Sequence, residues 1–358
     1  MRPAIKVLVV DDSALVRQML TRALGVDPRI EIVGSAKNGI EAIERATETQ
    51  PDVITLDIEM PELNGIEALP HLLKVTPARV VILSSIDDPD TTYQALSLGA
   101  VDFIPKPREG FASSLAELSD LLIKKIKIAY RVSPAHRQTI AQAGTLAPPK
   151  KISKAEEPSS GATPPSGPFR AVAFAASTGG PPALEAVFSG LSASLPAAYL
   201  VVQHLPAGFT ASLARRLGKV TDIRMAEATE GMPVERGVAY IAPHGSHMMV
   251  EGDRTPRIRL EQSPAIHGVR PAADPLLESV ARRFGSHAVG VVLTGMGVDG
   301  AHGLKLIQQR GGSTIVQDEN TSVVWGMPKA AVKIGAVDRI VPLQRISTEV
   351  RRCLREEA

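Results

Sequence analysis

The residue with the clearest potential for chemistry stands where an apolar run ends. Residues 171–174 read Ala-Val-Ala-Phe, and the segment 175–180 that follows reads Ala-Ala-Ser-Thr-Gly-Gly. A serine at the end of a buried strand, with glycines freeing the backbone behind it, can present its hydroxyl as a nucleophile. Turns between a strand and a helix also favour Ser, Thr and Gly as capping residues, so this segment alone leaves both interpretations of Ser177 open.

A serine nucleophile needs a base and a carboxylate that orients the base. His204 closes the apolar run at 199–202 and emerges at the same sheet edge as Ser177 if the two strands are neighbours. Asp299 follows the strand end Leu-Thr-Gly-Met-Gly at 293–297, whose glycines let a peptide N–H approach a bound oxyanion. The alternatives are a buried histidine at 204 and an N-cap of the following helix at 299. A carboxylate has two oxygens, so Asp299 can serve as cap and triad member together.

Three other histidines compete for a role in the second half. His302 lies one turn into the helix after Asp299 and is expected to point from the wrong face. His244 and His247 have a spacing that a metal could use, but no third ligand is evident, so a metal there is disfavoured. We expect His247 at most to line the pocket.

Carboxylates at strand ends predict a second site in the first half. Asp11 and Asp12 follow the apolar run at 7–10, and Asp57 follows the run at 53–56. The carboxyl ends of parallel strands line one crevice, so these acids should converge and require a cation. A small set of oxygen ligands suits Mg²⁺ better than zinc. Ser84 and Lys106 end two further apolar runs and suit a phosphoryl group at the same edge.

Apolar runs alternating with helical stretches must position both sites. The first half shows such runs at 7–10, 53–56, 80–83 and 103–104, which indicates a parallel sheet wrapped by helices. The second half repeats this pattern less regularly, and its stretch 238–261 is typical of antiparallel strands added to a parallel sheet. Between the halves, residues 131–168 contain many Pro, Ser, Thr, Ala and Lys residues and no apolar periodicity, as expected of a linker.

Composition limits the classes of function. The 358 residues suffice for two cores, and a net charge of +2 gives no overall electrostatic basis for binding nucleic acid or an anionic membrane. No apolar run approaches the roughly 18 residues of a membrane span, and the one cysteine, Cys353, agrees with a reducing compartment. We therefore expect a cytoplasmic protein without membrane insertion, and we also predict a monomer.

The sequence disfavours two other classes of function for the second half. A DNA-binding output domain is disfavoured because the second half lacks a helix-turn-helix signal and a basic recognition stripe. A nucleotide-binding loop at 177–180 is disfavoured because the Gly-x-Gly-x-x-Gly order is missing.

The first third of the chain resembles the response-regulator receiver family. The matching motifs are Val-Asp-Asp-Ser at 10–13, Leu-Asp-Ile-Glu-Met-Pro at 56–61, Leu-Ser-Ser at 83–85 and Lys-Pro at 106–107. The resemblance implies a flavodoxin-like fold that a sensor histidine kinase phosphorylates. The implied site residues are Asp57 as phosphoryl acceptor, Asp11 and Asp12 as Mg²⁺ ligands beside it, Ser84 turning toward the phosphate, Lys106 pairing with it, and Phe103 as the switching aromatic.

The second half resembles the chemotaxis protein-glutamate methylesterase domain. The matching segments are Ala-Ser-Thr-Gly-Gly at 176–180, Val-Gln-His at 202–204, Tyr-Ile-Ala-Pro at 240–243, Leu-Thr-Gly-Met-Gly at 293–297 and Val-Trp-Gly-Met-Pro at 324–328. The resemblance implies a triad of Ser177, His204 and Asp299 with a backbone oxyanion donor at Met296. Pro-Ala-Ala-Asp at 271–274 departs from the family's usual Pro-Ser-Val-Asp, which predicts a missing polar contact near the pocket.

The two resemblances together imply the organisation and the reaction. A receiver domain at 1–130 and a doubly wound, mostly parallel α/β catalytic domain with an antiparallel addition at 169–358 would flank the linker at 131–168. The implied reaction is hydrolysis of glutamate γ-methyl esters on chemotaxis receptors, with deamidation of specific glutamines and no cofactor for either step. The long linker suggests that the receiver covers the Ser177 crevice until Asp57 is phosphorylated.

Overall fold

The computed structural model describes residues 3–84, 88–106, 115–132, 169–252 and 254–355, without the side chains of 115–118. Contacts between residues divide the chain into two compact units, Met1–Gly144 and Thr145–Ala358. In the described residues, no helix combines the length and the apolarity that crossing a bilayer requires.

The first unit is a five-stranded parallel sheet with helices between its strands. Strands β1, β3 and β4 are rich in Val, Ile and Leu because a parallel sheet is covered on both faces. The sheet order β2-β1-β3-β4-β5 is the flavodoxin-like order that the resemblance implied. Its elements are β1 (Ile5–Val10), α1 (Ala14–Gly25), β2 (Ile30–Ala36), α2 (Gly39–Thr49), β3 (Val53–Asp57), α3 (Gly65–Val75), β4 (Arg79–Ser84), α4 (Pro89–Ser97), β5 (Asp102–Pro105) and α5 (Leu115–Arg131).

The end of α5 shifts the start of the expected linker. Arg131 is the last residue of α5, and Val132 is buried. These two residues therefore belong to the first unit, not to a linker that starts at 131. The rest of the expected linker, 133–168, lies outside the described residues.

The second unit has a seven-stranded parallel sheet with the order β14-β13-β12-β6-β7-β9-β8. Strand β6 lies in the middle, between β7 and β12, so the order reverses at β6 and opens a crevice at the carboxyl ends of the central strands. The elements are β6 (Arg170–Ala176), α6 (Gly180–Phe188), β7 (Ala197–Gln203), α7 (Thr210–Leu217), β8 (Arg224–Glu227), β9 (Val238–Ile241), β10 (His247–Glu251), β11 (Arg257–Glu261), α8 (Ala273–Phe284), a 3-10 turn (Gly285–His287), β12 (Ala288–Val292), α9 (Ala301–Gln309), β13 (Ser313–Gln317), α10 (Met327–Lys333), β14 (Arg339–Val341) and α11 (Leu343–Arg355).

The antiparallel addition is smaller than the sequence suggested. Strands β10 and β11 pair antiparallel, with His247 opposite Glu261, as a separate two-stranded sheet. Strand β9, at the start of the stretch that we expected to be antiparallel, instead pairs parallel with both β7 and β8. Its four residues are all buried, which is typical of a strand inside a parallel sheet.

Candidate functional site

Ser177 begins the sharp turn between β6 and α6, at the switch point of the large sheet. We call residues 177–180 the serine turn. Its N–H donates to the carbonyl of Thr294 at 3.0 Å, and its carbonyl accepts from Gly180 N–H at 2.8 Å. Gly179 has φ +76°, and a Cβ there would lie 2.6 Å from the side chain of Val323. The turn therefore requires this glycine for its conformation and for space. Ser177 is half-buried among buried neighbours.

The sheet register brings His204 beside Ser177. Ala176 and Gln203 are paired residues at the ends of β6 and β7, and the next backbone bond runs from His204 N–H to the Ala176 carbonyl at 3.1 Å. Ser177 and His204 are thus the first residues after a matched pair. Within the described residues, no hydrogen bond joins the Ser177 hydroxyl to the imidazole, and such bonds commonly tighten only around a substrate.

The imidazole of His204 is held by Asp299. Its Nε2 lies 2.8 Å from Oδ2 of Asp299, which leaves Nδ1 as the second ring nitrogen for proton exchange. Asp299 is 2% exposed. Its Oδ2 also accepts the N–H of Ala273 at 2.7 Å, and its Oδ1 accepts the N–H of Asp274 at 3.1 Å. The carboxylate is therefore fixed by three donors.

These contacts argue against the alternative in which Asp299 caps the helix that follows it. The residue before α9 is Gly300, with φ +85° and no side-chain cap, so Asp299 does not cap the helix that follows it. It binds the first two amides of α8 instead, a helix that begins 26 residues earlier in the chain. Because the third residue of α8 is Pro275, which has no N–H, Asp299 satisfies every free amide of that first turn.

The N-terminus of α8 also keeps Asp299 ionised. Burial alone raises the pKa of this carboxyl, but the hydrogen bond and charge of His204 and the amides of Ala273 and Asp274 outweigh burial and hold the pKa below its usual value. The positive end of the helix dipole acts in the same direction. Asp299 is thus suited to orient His204 and to stabilise it when protonated.

His247 supplies a polar contact at the departure 271–274. Ala272, the residue before α8, has no side chain that can cap the helix, and its N–H donates to Nδ1 of His247 at 3.0 Å. The other nitrogen, Nε2, faces the Pro264 carbonyl at 3.2 Å, so the proton lies on Nε2. With both nitrogens engaged, His247 is a structural ligand of the protein backbone.

The remaining histidines are not part of this arrangement. His244 is exposed and its Nδ1 donates to the Leu205 carbonyl at 2.9 Å, while His302 is exposed on α9. His267 bonds Asp274 at 2.9 Å. His267, Asp274 and Asp299 form a group whose ligand atoms lie within 4.8 Å of one another. Both carboxylates, however, already accept helix amides, and that of Asp274 accepts the Gly303 N–H at 2.8 Å.

Met296 lies in the loop between β12 and α9, beside the serine turn. The preceding Gly295 packs so closely that a Cβ would lie 2.8 Å from the Ser177 Cβ and 2.4 Å from the Met327 sulfur. Among the described backbone hydrogen bonds, none uses the Met296 N–H. That amide is therefore available to a ligand.

Three polar residues that we did not predict support the site. Thr294 accepts the Ser177 N–H through its carbonyl and donates its hydroxyl to the Thr178 carbonyl at 3.0 Å. The buried Gln317 accepts the Thr294 N–H at 2.9 Å, and the buried Gln203 donates to the Ser177 carbonyl at 2.9 Å. Each of the three ends or follows a buried strand, the signal by which we had selected His204.

The strand ends of the first unit form the acid pocket that the sequence predicts. Oδ2 of Asp57 and Oδ2 of Asp11 lie 2.7 Å and 3.1 Å from Nζ of Lys106. Both carboxylates are buried, and Asp12 beside them is exposed. Ser84 is buried and its hydroxyl bonds that of Thr92, while Phe103 is buried on the adjacent β5.

The electrostatics of this pocket depend on burial and on Lys106. Burial, together with the charge of Asp11, raises the pKa of Asp57 to about 6, although Lys106 opposes this shift. Burial alone lowers the pKa of Lys106, but the two carboxylates raise it above its ordinary value. Lys106 therefore remains positively charged beside Asp57 and Asp11.

The donor set fits a magnesium ion. The ligand atoms of Asp11, Asp12 and Asp57 lie within 4.8 Å of one another. Oδ2 of Asp11 and Oδ2 of Asp57 are buried; each forms an ion pair with Lys106 but, within the described residues, accepts no hydrogen bond of regular geometry. Hard carboxylate oxygens with unused lone pairs, and space left for water, match the preference of Mg²⁺.

The fold and these two sites define a class of protein, the response regulators that carry an enzymatic output domain. The response regulator receiver domain family matches residues 7–112, and the CheB methylesterase family matches residues 172–350. A protein-glutamate methylesterase/protein-glutamine glutaminase of Pyrococcus horikoshii is 47% identical over 350 residues, which cover 97% of this chain and 92% of that protein.

Further comparisons agree with these matches. A protein of the same name from Symbiobacterium thermophilum is 42% identical over 359 residues and 98% of each chain. The crystal structure of the Thermotoga maritima CheB methylesterase catalytic domain is 36% identical, covers 52% of this chain and 99% of its own, and superposes with a TM-score of 0.51. The chain belongs to the protein-glutamate methylesterase/protein-glutamine glutaminase family, which is a family of enzymes.

Proposed function

We propose that this protein hydrolyses glutamate γ-methyl esters on chemotaxis receptors and that phosphorylation of its receiver domain regulates the reaction. The observation that carries the proposal is the arrangement at the switch point of the large sheet. There, the serine turn adjoins His204, and a buried, ionised Asp299 fixes His204. Deamidation of specific receptor glutamines would use the same acyl chemistry, with ammonia leaving instead of methanol.

In the first half of the reaction, His204 acts as the base for Ser177. Nδ1 takes the hydroxyl proton while Asp299 stabilises the resulting imidazolium through Nε2. The serine oxygen attacks the ester carbonyl and forms a tetrahedral intermediate. The proton then passes from His204 to the departing methoxide, so that methanol leaves and an acyl-serine remains.

Backbone donors and water complete the cycle. The Met296 N–H, which follows Gly295 in the loop packed against Ser177, would stabilise the negative oxygen of the tetrahedral intermediate. Water then attacks the acyl-serine with His204 again as the base, which releases a glutamate carboxylate. Neither half of the reaction requires a cofactor.

The receiver domain would supply the control. A carboxylate oxygen of Asp57 would attack the phosphoryl group of a phosphohistidine on the sensor kinase; the P–N bond breaks, the kinase histidine leaves, and Asp57 becomes an aspartyl phosphate. Asp11, Asp12 and Asp57 would hold Mg²⁺, whose charge would offset that of the phosphoryl group during the transfer. Lys106 would remain paired with the new phosphate, and the Ser84 hydroxyl would leave Thr92 to donate to it, with Phe103 moving in response.

The regulation requires two domains that fold separately. The expected receiver boundary at 130 moves to 132, because Val132 is buried in the first unit, so we propose domains at 1–132 and 169–358 with the linker at 133–168. We also propose that the protein acts as a cytoplasmic monomer.

Methanol release from methylated receptor membranes tests the reaction. The wild-type protein, Ser177→Ala and Asp57→Asn are compared with and without the phosphorylated kinase. We expect Ser177→Ala to abolish release and Asp57→Asn to retain basal release without stimulation by the kinase. Ser189→Ala is the matched control, because Ser189 is an exposed serine at the other end of α6. Release by Ser177→Ala at the wild-type rate would exclude the serine mechanism.

A further inference from the structure

The backbone hydrogen bonds between β6 and β7 end one residue before Ser177, so this ladder does not include a bond between Ser177 and His204. The last bond of the ladder runs from His204 N–H to the Ala176 carbonyl, after which β6 turns into α6. The Ser177 N–H donates to Thr294 instead, on the other side of β6. Beyond the Ala176 carbonyl, this ladder supplies no further bond that would hold the Ser177 carbonyl relative to His204.

The side chain of Gln203 provides such a bond. Its Nε2 donates to the carbonyl of Ser177 at 2.9 Å and to the carbonyl of His204 at 3.1 Å. A primary amide nitrogen has two hydrogens, and both are used. Because two carbonyl oxygens face this atom, it must be the nitrogen and not the oxygen of the carboxamide.

The carboxamide of Gln203 occupies buried space that depends on the glycine at position 180. Gln203 is 3% exposed, and its Oε1 is buried and accepts no hydrogen bond among the described residues. A Cβ at Gly180 would lie only 1.8 Å from Oε1 and 2.9 Å from the Ala176 side chain. A residue with a Cβ at 180 would displace this carboxamide, whose nitrogen directs two N–H donors to the carbonyls of Ser177 and His204.

We infer that Gln203 is a positioning residue of the hydrolase, which clamps the backbone of Ser177 to that of His204 and so sets the distance between nucleophile and base. The inference rests on the proposed function for the roles of these two residues. A shift of about 1 Å between reacting groups can lower a rate by about a hundredfold. Gln203 itself contacts neither substrate nor reacting atoms.

Two substitutions separate the clamp from simple filling of space. Gln203→Met keeps the volume but removes both donors, and Gln203→Glu keeps the shape but replaces the donors with an oxygen. For the methyl ester, we expect kcat to fall about 10- to 100-fold in Gln203→Met, with KM changed less than twofold. Gln308→Met is the matched control, because Gln308 also uses its carboxamide for two hydrogen bonds, near the opposite end of α9 from Asp299.

A pH series tests the role of the donors directly. The carboxyl group introduced by Gln203→Glu regains one O–H donor when it is protonated. The ratio of Gln203→Glu activity to wild-type activity should therefore rise as the pH falls, while the ratio for Gln203→Met should stay constant. Thermal unfolding of each variant checks that the fold is retained. A folded Gln203→Met protein with kcat within twofold of Gln308→Met would overturn the inference.

Two further outcomes are decisive if Gln203→Met is unstable. The Gln203→Glu series then stands alone, and a pH-independent ratio overturns the clamp, whereas a rising ratio supports it. Ser177→Ala is measured in the same assay. If Ser177→Ala remains active, the proposed function fails, and that result is distinct from a failure of the clamp, in which Ser177→Ala is inactive and Gln203→Met is not impaired.

Discussion

Oδ2 of Asp299 lies 2.8 Å from Nε2 of His204, and the same carboxylate holds the first two amides of α8. One buried side chain therefore orients the base and caps a helix from a different part of the chain. A substitution at Asp299 should affect catalysis and stability separately, since a neutral isostere removes the charge but keeps an acceptor.

We expect Asp299→Asn to lower kcat for ester hydrolysis by a factor on the order of 10³ to 10⁴, because the neutral amide neither stabilises the imidazolium nor fixes its tautomer. Asp299→Ala should in addition cost about 1–2 kcal/mol of unfolding free energy through loss of the cap on α8. Steady-state kinetics and chemical denaturation measure the two effects. Asp338→Asn is the control, because Asp338 also accepts a backbone amide, that of Thr314 at 2.8 Å. Equal kcat in Asp299→Asn and the control would contradict the assignment.

The raised pKa of Asp57 predicts how the receiver's stability depends on pH. Its folded-state pKa of about 6 lies above the ordinary value of 3.8, so the folded state binds the proton more tightly than the unfolded state does. Ionised Asp57 thus destabilises the fold above pH 6, and this penalty disappears as the pH falls toward 3.8. We expect Asp57→Asn to stabilise the metal-free receiver by about 1–3 kcal/mol at pH 7.5 and much less at pH 4.5. Denaturation at both values, with the exposed Asp12→Asn as control, measures the gain; equal gains at both pH values would refute the prediction.

Magnesium binding should share this pH dependence. A proton on Asp57 competes with the ion, so we expect the affinity for Mg²⁺ to fall as the pH drops below about 6. Titration calorimetry between pH 5 and 8 measures the affinity. In Asp57→Asn the remaining affinity should lose this transition, and its persistence there would assign the transition to another group.

Lys106 should be essential for the stability of the acid pocket. Its ammonium contacts both Asp57 and Asp11, which are buried, so Lys106→Met leaves two carboxylates without their cation. We expect a loss of about 3–5 kcal/mol at neutral pH, which becomes smaller near pH 5 as Asp57 takes up a proton. Denaturation at pH 7.5 and pH 5 measures the loss. Lys74→Met, at the end of α3, is the control.

Gly295 should tolerate no side chain. A Cβ there would lie 2.4 Å from the Met327 sulfur and 2.8 Å from the Ser177 Cβ, so Gly295→Ala must displace one of them. We expect at least a tenfold loss of kcat. Gly218→Ala is the control, because its new Cβ would meet nothing closer than 3.4 Å. Unchanged kcat in a folded Gly295→Ala protein would show that the serine turn is less constrained than these distances indicate.

The elements that sequence patterns missed lie mainly at the edges of the sheets. Strands β2, β8 and β14 are edge strands with several exposed or half-buried residues, so they lack the continuous apolar run by which we recognised β1, β3 and β6. The short helix α10 was missed because its seven residues span two turns and follow an irregular segment. The central strands were recognised because both of their faces are covered.

The sequence by itself determined which residue types end the buried strands, and with them the acid pocket and the candidates Ser177, His204 and Asp299. Strand ends carry this information because the apolar run stops where side chains reach the crevice. Only the tertiary structure decided what lies across that crevice. The seven-strand order places β6 between β7 and β12, and it brings the amides of α8 to Asp299 and the carboxamide of Gln203 to two carbonyls. The contacts of α8 with Asp299 and of Gln203 with Ser177 join residues 25 or 26 positions apart in the chain, so no local pattern records them.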